Sequence, residues 1–179
     1  MLNKQINFER MLKNRIIKLY RNEEISNIIF LCIGTNKIIG DAIGPIVGSK
    51  IKHLENSYIK IYGTEENNLN FNNAKTTIQN IYNNYKKTCI ITIDAALSDN
   101  ANSGDIFFSS GFIKIGKALE KTLCFYSDIN IKYVVGESLF NKKKNLEVLK
   151  NVAKEKVSKD ALFISKGIEN VMLQFEGLR

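Results

Sequence analysis

Two short stretches of this chain are apolar almost without interruption, Ile28 to Ile33 and Cys89 to Ile93. Runs that short and that apolar are strands buried on both faces, as in a parallel sheet. Tyr58 to Tyr62 alternates apolar and polar residues, reads as a further strand, and is ended by Gly63-Thr64. Residues 105 to 109 and 129 to 135 are two more strand candidates. Between these segments apolar residues recur at helical spacing. Ile6, Met11, Leu12, Ile16, Leu19 and Tyr20 predict a helix over residues 4 to 22, and Ile78, Ile81, Tyr82 and Tyr85 one over 74 to 86. A helix from Asp41 to about His53 follows the first strand, with Pro45, the single proline, in its first turn. Residues 143 to 175 predict two helices with a break at 156 to 159. The stretches 65–73 and 97–104 are polar and read as loops. Strands alternating with helices predict one α/β domain over residues 1–179, its sheet at least partly parallel, with residues 1–24 as an N-terminal helix packed on it.

The chemistry concentrates where the first strand ends. Gly34, Gly40 and Asp41 lie between that strand and the next helix, and the strand at 89 to 94 also ends in an aspartate, Asp94. Right-handed crossovers give the strand order 2-1-3, with a crevice between strands one and three at their carboxyl ends. Asp41 and Asp94 would flank it. Two close carboxylates cannot both ionise freely, so one proton can be shared between them. Such a pair can activate water as a base and protonate a leaving group as an acid, which suits amide or ester hydrolysis. A simpler reading stands beside this one: Asp41 before a helix has the position of an N-cap, and Asp94 could cap a turn.

Composition narrows the alternatives. No run approaches the roughly 18 apolar residues of a membrane span, and the N-terminus lacks the pattern of a secretion signal, so a cytoplasmic protein is expected. Cys32, Cys89 and Cys124 sit in apolar runs and read as buried free thiols. The net charge is +8, but the lysines are scattered apart from Lys142-Lys143-Lys144, which argues against a dedicated nucleic-acid site. The loop from Gly34 to Gly40 superficially resembles a phosphate cradle without matching either phosphate-binding pattern, and Lys37 could hold an anion there. His53, the one histidine, lies roughly 15 Å along the helix from Asp41, too far for a histidine-dependent triad or metal site. Ser138 and Ser165 have no nucleophile-elbow context. No cofactor and no metal are expected.

The segments Ile33-Gly-Thr-Asn-Lys-Ile-Ile-Gly-Asp-Ala-Ile-Gly-Pro-Ile-Val-Gly48 and Ile93-Asp-Ala-Ala-Leu97 resemble those of the YyaC-type sporulation proteins, a family of candidate spore proteases. They also look like those of the spore germination protease and, more distantly, of hydrogenase maturation endopeptidases. The resemblance covers about residues 28 to 136. It implies a three-layer α/β/α sandwich of the phosphorylase/hydrolase kind with a mostly parallel central sheet. It further implies a metal-independent peptidase site with Asp41 and Asp94 as the catalytic pair, Gly34, Thr35, Asn36, Gly40 and Thr64 at the substrate, and a protein or peptide as that substrate, with the forespore as a possible compartment. The hydrogenase endopeptidases use a metal-contacting histidine that has no counterpart here. Other departures are Asn36 and Lys37 where the family carries aspartate and arginine, Asn68 and Asn70 where it carries proline and histidine, and Ile115-Gly116 for a Pro-Gly pair. Three functions follow as expectations: a sporulation-associated endopeptidase, a catalytically inactive binding protein on the same fold, or a phosphate-ligand hydrolase or transferase. The oligomeric state is left open.

Overall fold

The apolar runs form the centre of a five-stranded sheet. The computed structural model describes residues 2–22, 24–115, 123–139 and 141–176. Gly116, one of the residues compared above, and the two chain ends lie outside them. The strands are β1 (Asn27–Cys32), β2 (Ile59–Tyr62), β3 (Thr88–Ser98), β4 (Ile106–Ile115) and β5 (Leu123–Glu137), in the order β2-β1-β3-β5-β4. The first four of these in space are parallel, and β4 closes the sheet antiparallel to β5. The expected 2-1-3 arrangement is present, so β1 and β3 lie side by side with chain crossovers leaving in opposite directions.

Helices cover both faces. On one side α1 (Leu2–Asn22), α2 (Ile43–Ile51) and α5 (Lys154–Glu176) enclose the larger core, which includes Leu12, Ile28, Phe30, Val47, Ile91 and Ile131. On the other side α3 (Phe71–Asn84) covers a smaller core that includes Ile29, Leu31, Ile78 and Ile90. Neighbouring residues of β1 thus serve opposite cores, which is why that strand is apolar from Ile28 to Cys32. The remaining helix is α4 (Lys142–Lys150). Among the described residues, no helix is long and apolar enough to cross a membrane.

The structure corrects several boundaries. β3 runs on to Ser98, so Asp94 does not end it, because β5 continues alongside and supplies partners past a register shift at Ala96/Leu97. The break in the last helical stretch falls at residues 151–153 rather than at 156 to 159. Asn151 ends α4 with its amide on the Glu147 and Val148 carbonyls (3.0 and 3.2 Å), an interruption that apolar periodicity does not register. α3 starts at Phe71 because Asn70 and Asn73 form a capping box, using residues of the expected loop. Cys32 and Cys89 are buried and Cys124 is exposed, all three as free thiols. Cys124 belongs to the β4–β5 ribbon, whose alternation turns it outward.

Candidate functional site

The chain leaves β1 through a tight turn. Gly34 has φ of 142°, in the region that side chains avoid, and a Cβ there would lie 2.0 Å from the Asp41 carbonyl oxygen. Gly44, in the first turn of α2, sits directly on the end of β1, where a Cβ would lie 2.1 Å from the Ile33 carbonyl oxygen. These close approaches seat the helix on the strand and fold residues 34–41 back over the carboxyl edge of the sheet. The Thr35 amide then donates to both the main-chain oxygen of Asp41 (3.2 Å) and its Oδ2 (3.0 Å).

Asp41 is therefore not the N-cap of α2. It ends a short 3-10 turn, Ile39–Asp41, and the capping position falls to Ala42, whose side chain offers nothing. Burial raises the Asp41 carboxyl to about 6, and the Thr35 amide partly offsets that rise. A carboxyl at that value can both donate and accept a proton near neutrality.

Asp94 stands on the neighbouring strand. The last β1 pairing joins Cys32 to Ile93, and the Ile33 amide donates to the Ile93 carbonyl (2.8 Å). Asp94 is thus the first β3 residue beyond the end of β1, opposite Lys132 of β5 and partly buried. Ile91 and Ile93 face the larger core, so strand alternation gives the Asp94 position to the α3 face. Both aspartates lie at the carboxyl edge between β1 and β3, one in a turn and one within a strand.

The other expected site residues are engaged within the protein. Gly40 is buried against α4, where a Cβ would lie 2.8 Å from the Leu149 carbonyl oxygen. Thr35, Asn36 and Thr64 belong to a clip centred on Asn68, a residue that sequence reasoning marked only as a departure. Asn68 Oδ1 accepts from Thr35 Oγ1 and from the Asn36 amide (both 3.2 Å), and its Nδ2 donates to the Thr64 carbonyl (2.8 Å). The available signal was the density of asparagines in 67–73, since that side chain carries a donor and an acceptor on separate atoms at short reach.

The clip bears on the phosphate reading. The amides of Gly34, Thr35, Asn36 and Lys37 donate to Leu69 O, Asp41, Asn68 Oδ1 and Thr35 Oγ1 respectively. A phosphate cradle needs such amides free and pointing at one centre. Lys37 itself is exposed. His53 meets α5, its Nε2 3.5 Å from Glu169 Oε1. Ser165 donates to the Leu162 carbonyl within its own helix. Among the described residues, no three His, Cys, Asp or Glu side chains group so as to hold a metal ion.

A groove of about 830 Å³ crosses the outer edge of β2, with Ser49, Lys52 and Glu55 on one side and Thr64, Asn68 and Tyr85 on the other. Neither aspartate lines it. The free edge of β2 along its floor is closed by the chain's own side chains. The Ile61 amide donates to Glu55 Oε1 (3.1 Å), and Lys52 Nζ donates to the Ile61 carbonyl (3.4 Å).

A family model described as a protein of unknown function, DUF1256, matches residues 2–167. The chain belongs to that family. A curated relative is the uncharacterized protein YyaC of Bacillus subtilis (strain 168), 32% identical over 113 residues that make up 63% of this chain and 55% of that protein. The DUF1256 chain therefore matches little more than half the length of that relative. Its fold is also similar to two solved structures from Thermococcus kodakarensis, both at 16% identity. The [NiFe] hydrogenase maturation protease HycI gives a TM-score of 0.47 over 82% of this chain and 94% of the other. The [NiFe] hydrogenase maturation protease HybD gives 0.39 over 78% and 97%.

Proposed function

We propose that this DUF1256 protein is an endopeptidase of sporulating cells that hydrolyses a peptide bond in a protein or peptide, with Asp41 and Asp94 as its acid/base pair. The observation that carries this reading is Asp41 itself. It is a largely buried carboxyl raised to about 6, held by one backbone amide at the carboxyl edge between β1 and β3, beside the strand that bears Asp94. Strand order reverses there, and α/β proteins bind their ligands at such reversals. In the proposed cycle one carboxylate takes a proton from water as it attacks the scissile carbonyl, and the other carboxyl protonates the departing amine. No metal is required by this scheme.

The test is cleavage of candidate spore proteins or peptides by the purified chain, followed by Asp41→Asn and Asp94→Asn. Each substitution keeps a hydrogen-bonding side chain of the same size and removes the proton cycle. Loss of cleavage in both, with unchanged circular dichroism, is expected, and kcat/KM of the wild type should show a limb near pH 6. Retained cleavage in Asp94→Asn removes the proposal.

A second reading has its own support. The groove over β2 is lined by neither aspartate, so a non-catalytic protein could use it to hold a partner. Peptide turnover that depends on the aspartates excludes that reading.

A further inference from the structure

We propose that Asn68 is a positioning residue for Asp41, acting through Thr35. This rests on the acid/base role given to Asp41 above. Both halves of the Asn68 amide are used. Its Oδ1 receives Thr35 Oγ1 and the Asn36 amide at 3.2 Å each, and its Nδ2 reaches the carbonyls of Thr64 (2.8 Å) and Glu65 (3.3 Å). One side chain thereby joins the loop after β1 to the loop after β2. Asn36 Nδ2 adds a second tie, to the Glu65 carbonyl at 2.8 Å.

What makes this more than a brace between loops is the double duty of Thr35. Its hydroxyl is bound by Asn68, while its backbone N–H is the donor to Asp41 Oδ2. Held by its hydroxyl and, through the Asn36 amide on the same oxygen, by the peptide that follows it, Thr35 has less freedom to turn its N–H away from Asp41. A largely buried carboxylate responds strongly to the loss of a single donor, because little water is at hand to replace it. Neither an aspartate nor a leucine at position 68 could serve, since the first lacks the donor and the second lacks both groups.

The experiment reads Asp41 directly. The full chain, labelled with 13C at aspartate carboxyls, is titrated by NMR as wild type, Asn68→Ala, Thr35→Val and the double variant. In Asn68→Ala the Asp41 midpoint should move upward by roughly half to one pH unit, and likewise in Thr35→Val, because each loosens the donating amide. The double variant should move no further than either single one, since both act on one contact. Asn73→Ala is the control: it removes the bond from Asn73 Nδ2 to the Asn68 carbonyl (2.8 Å) without touching Thr35, so it should lower the melting temperature and leave the midpoint in place. The elements packed on the turn are β3, α2, α4 and α5, and their ionisable groups, among them Asp94, Lys50, Glu147, Lys150 and Lys154, are the same in every variant. An unchanged Asp41 midpoint in folded Asn68→Ala overturns the proposal, as does an equal movement in Asn73→Ala. If Asn68→Ala does not fold, an unchanged midpoint in Thr35→Val overturns it. None of these readouts needs turnover, so the positioning role and the peptidase reading can fail separately.

Discussion

Asp41 and Asp94 are the same residue at the same edge of one sheet, yet the chain builds their surroundings by opposite means. Asp41 sits in an irregular turn that needs backbone to approach backbone without a Cβ between: Gly34 against the Asp41 carbonyl and Gly44 against Ile33. Asp94 sits in regular β3, its backbone position set by β5 rather than by any close packing of glycines. The lesson is that a turn can place a carboxyl in a largely buried site with one amide for company, whereas a strand fixes direction and register. In the proposed reaction the first arrangement tunes proton affinity and the second supplies a partner at a fixed place.

The contrast can be broken at several points, and the largest effect should fall on activity. Asp41→Asn and Asp94→Asn should each reduce kcat/KM for a peptide substrate by roughly a hundredfold to ten-thousandfold, the usual range for an acid/base group. A reduction in one but not the other would show that the two are not a pair.

Next comes the close approach that shapes the Asp41 turn. Gly44→Ala should cost about 3 kcal/mol or more in urea unfolding, because its new methyl group would meet the Ile33 backbone, which cannot step aside as a flexible side chain can. Gly136→Ala makes the matching test beside β3. There the added carbon meets Val148 Cγ1 at 2.7 Å, the end of a side chain, so the loss should be smaller.

A third effect runs the other way. Asp41 is raised from its ordinary 3.8 to about 6 in the folded protein, so between those values the folded state keeps a proton that the unfolded chain has released. Its contribution to stability is full below about pH 4 and is lost as pH rises through 6. Above that the buried charge costs on the order of 2–3 kcal/mol. Asp41→Asn should therefore raise the melting temperature at pH 7 and have little effect at pH 4, even as it abolishes activity. A variant less stable than wild type at pH 7 would contradict the buried-charge account.

The smallest expected effect lies on the β3 side. Thr92 Oγ1 donates to Asn130 Oδ1 at 2.8 Å in a fully enclosed polar pair between β3 and β5. Thr92→Val should cost about 1–2 kcal/mol by leaving that acceptor without its donor. If activity fell as well, the placement of β3 would be shown to matter to Asp94.

The departures from the related sequences take on a different weight once the structure is seen. Asn36 and Asn68 stand where the related sequences carry other residues, and here each binds the other's loop. Asn70 likewise caps α3, its side chain accepting the Asn72 amide at 3.0 Å. In this chain all three side chains make hydrogen bonds within the protein.

Much of the fold was legible in the chain itself. The nearly unbroken runs at 28–33 and 89–93 marked the central parallel strands, because a strand covered on both faces accepts a polar residue only where, as at Thr92, a buried partner meets it. The order 2-1-3 followed from the handedness of crossovers, and with it the edge that Asp41 and Asp94 share. What only the tertiary structure decided lies in the irregular backbone. The 3-10 turn takes Asp41 off the helix cap, β5 carries β3 past Asp94, and Asn68 joins two loops more than thirty residues apart in sequence. Periodicity reports how a segment meets the core. It says nothing of a side chain whose partners are backbone groups brought near by other segments, as those of Asn68 are.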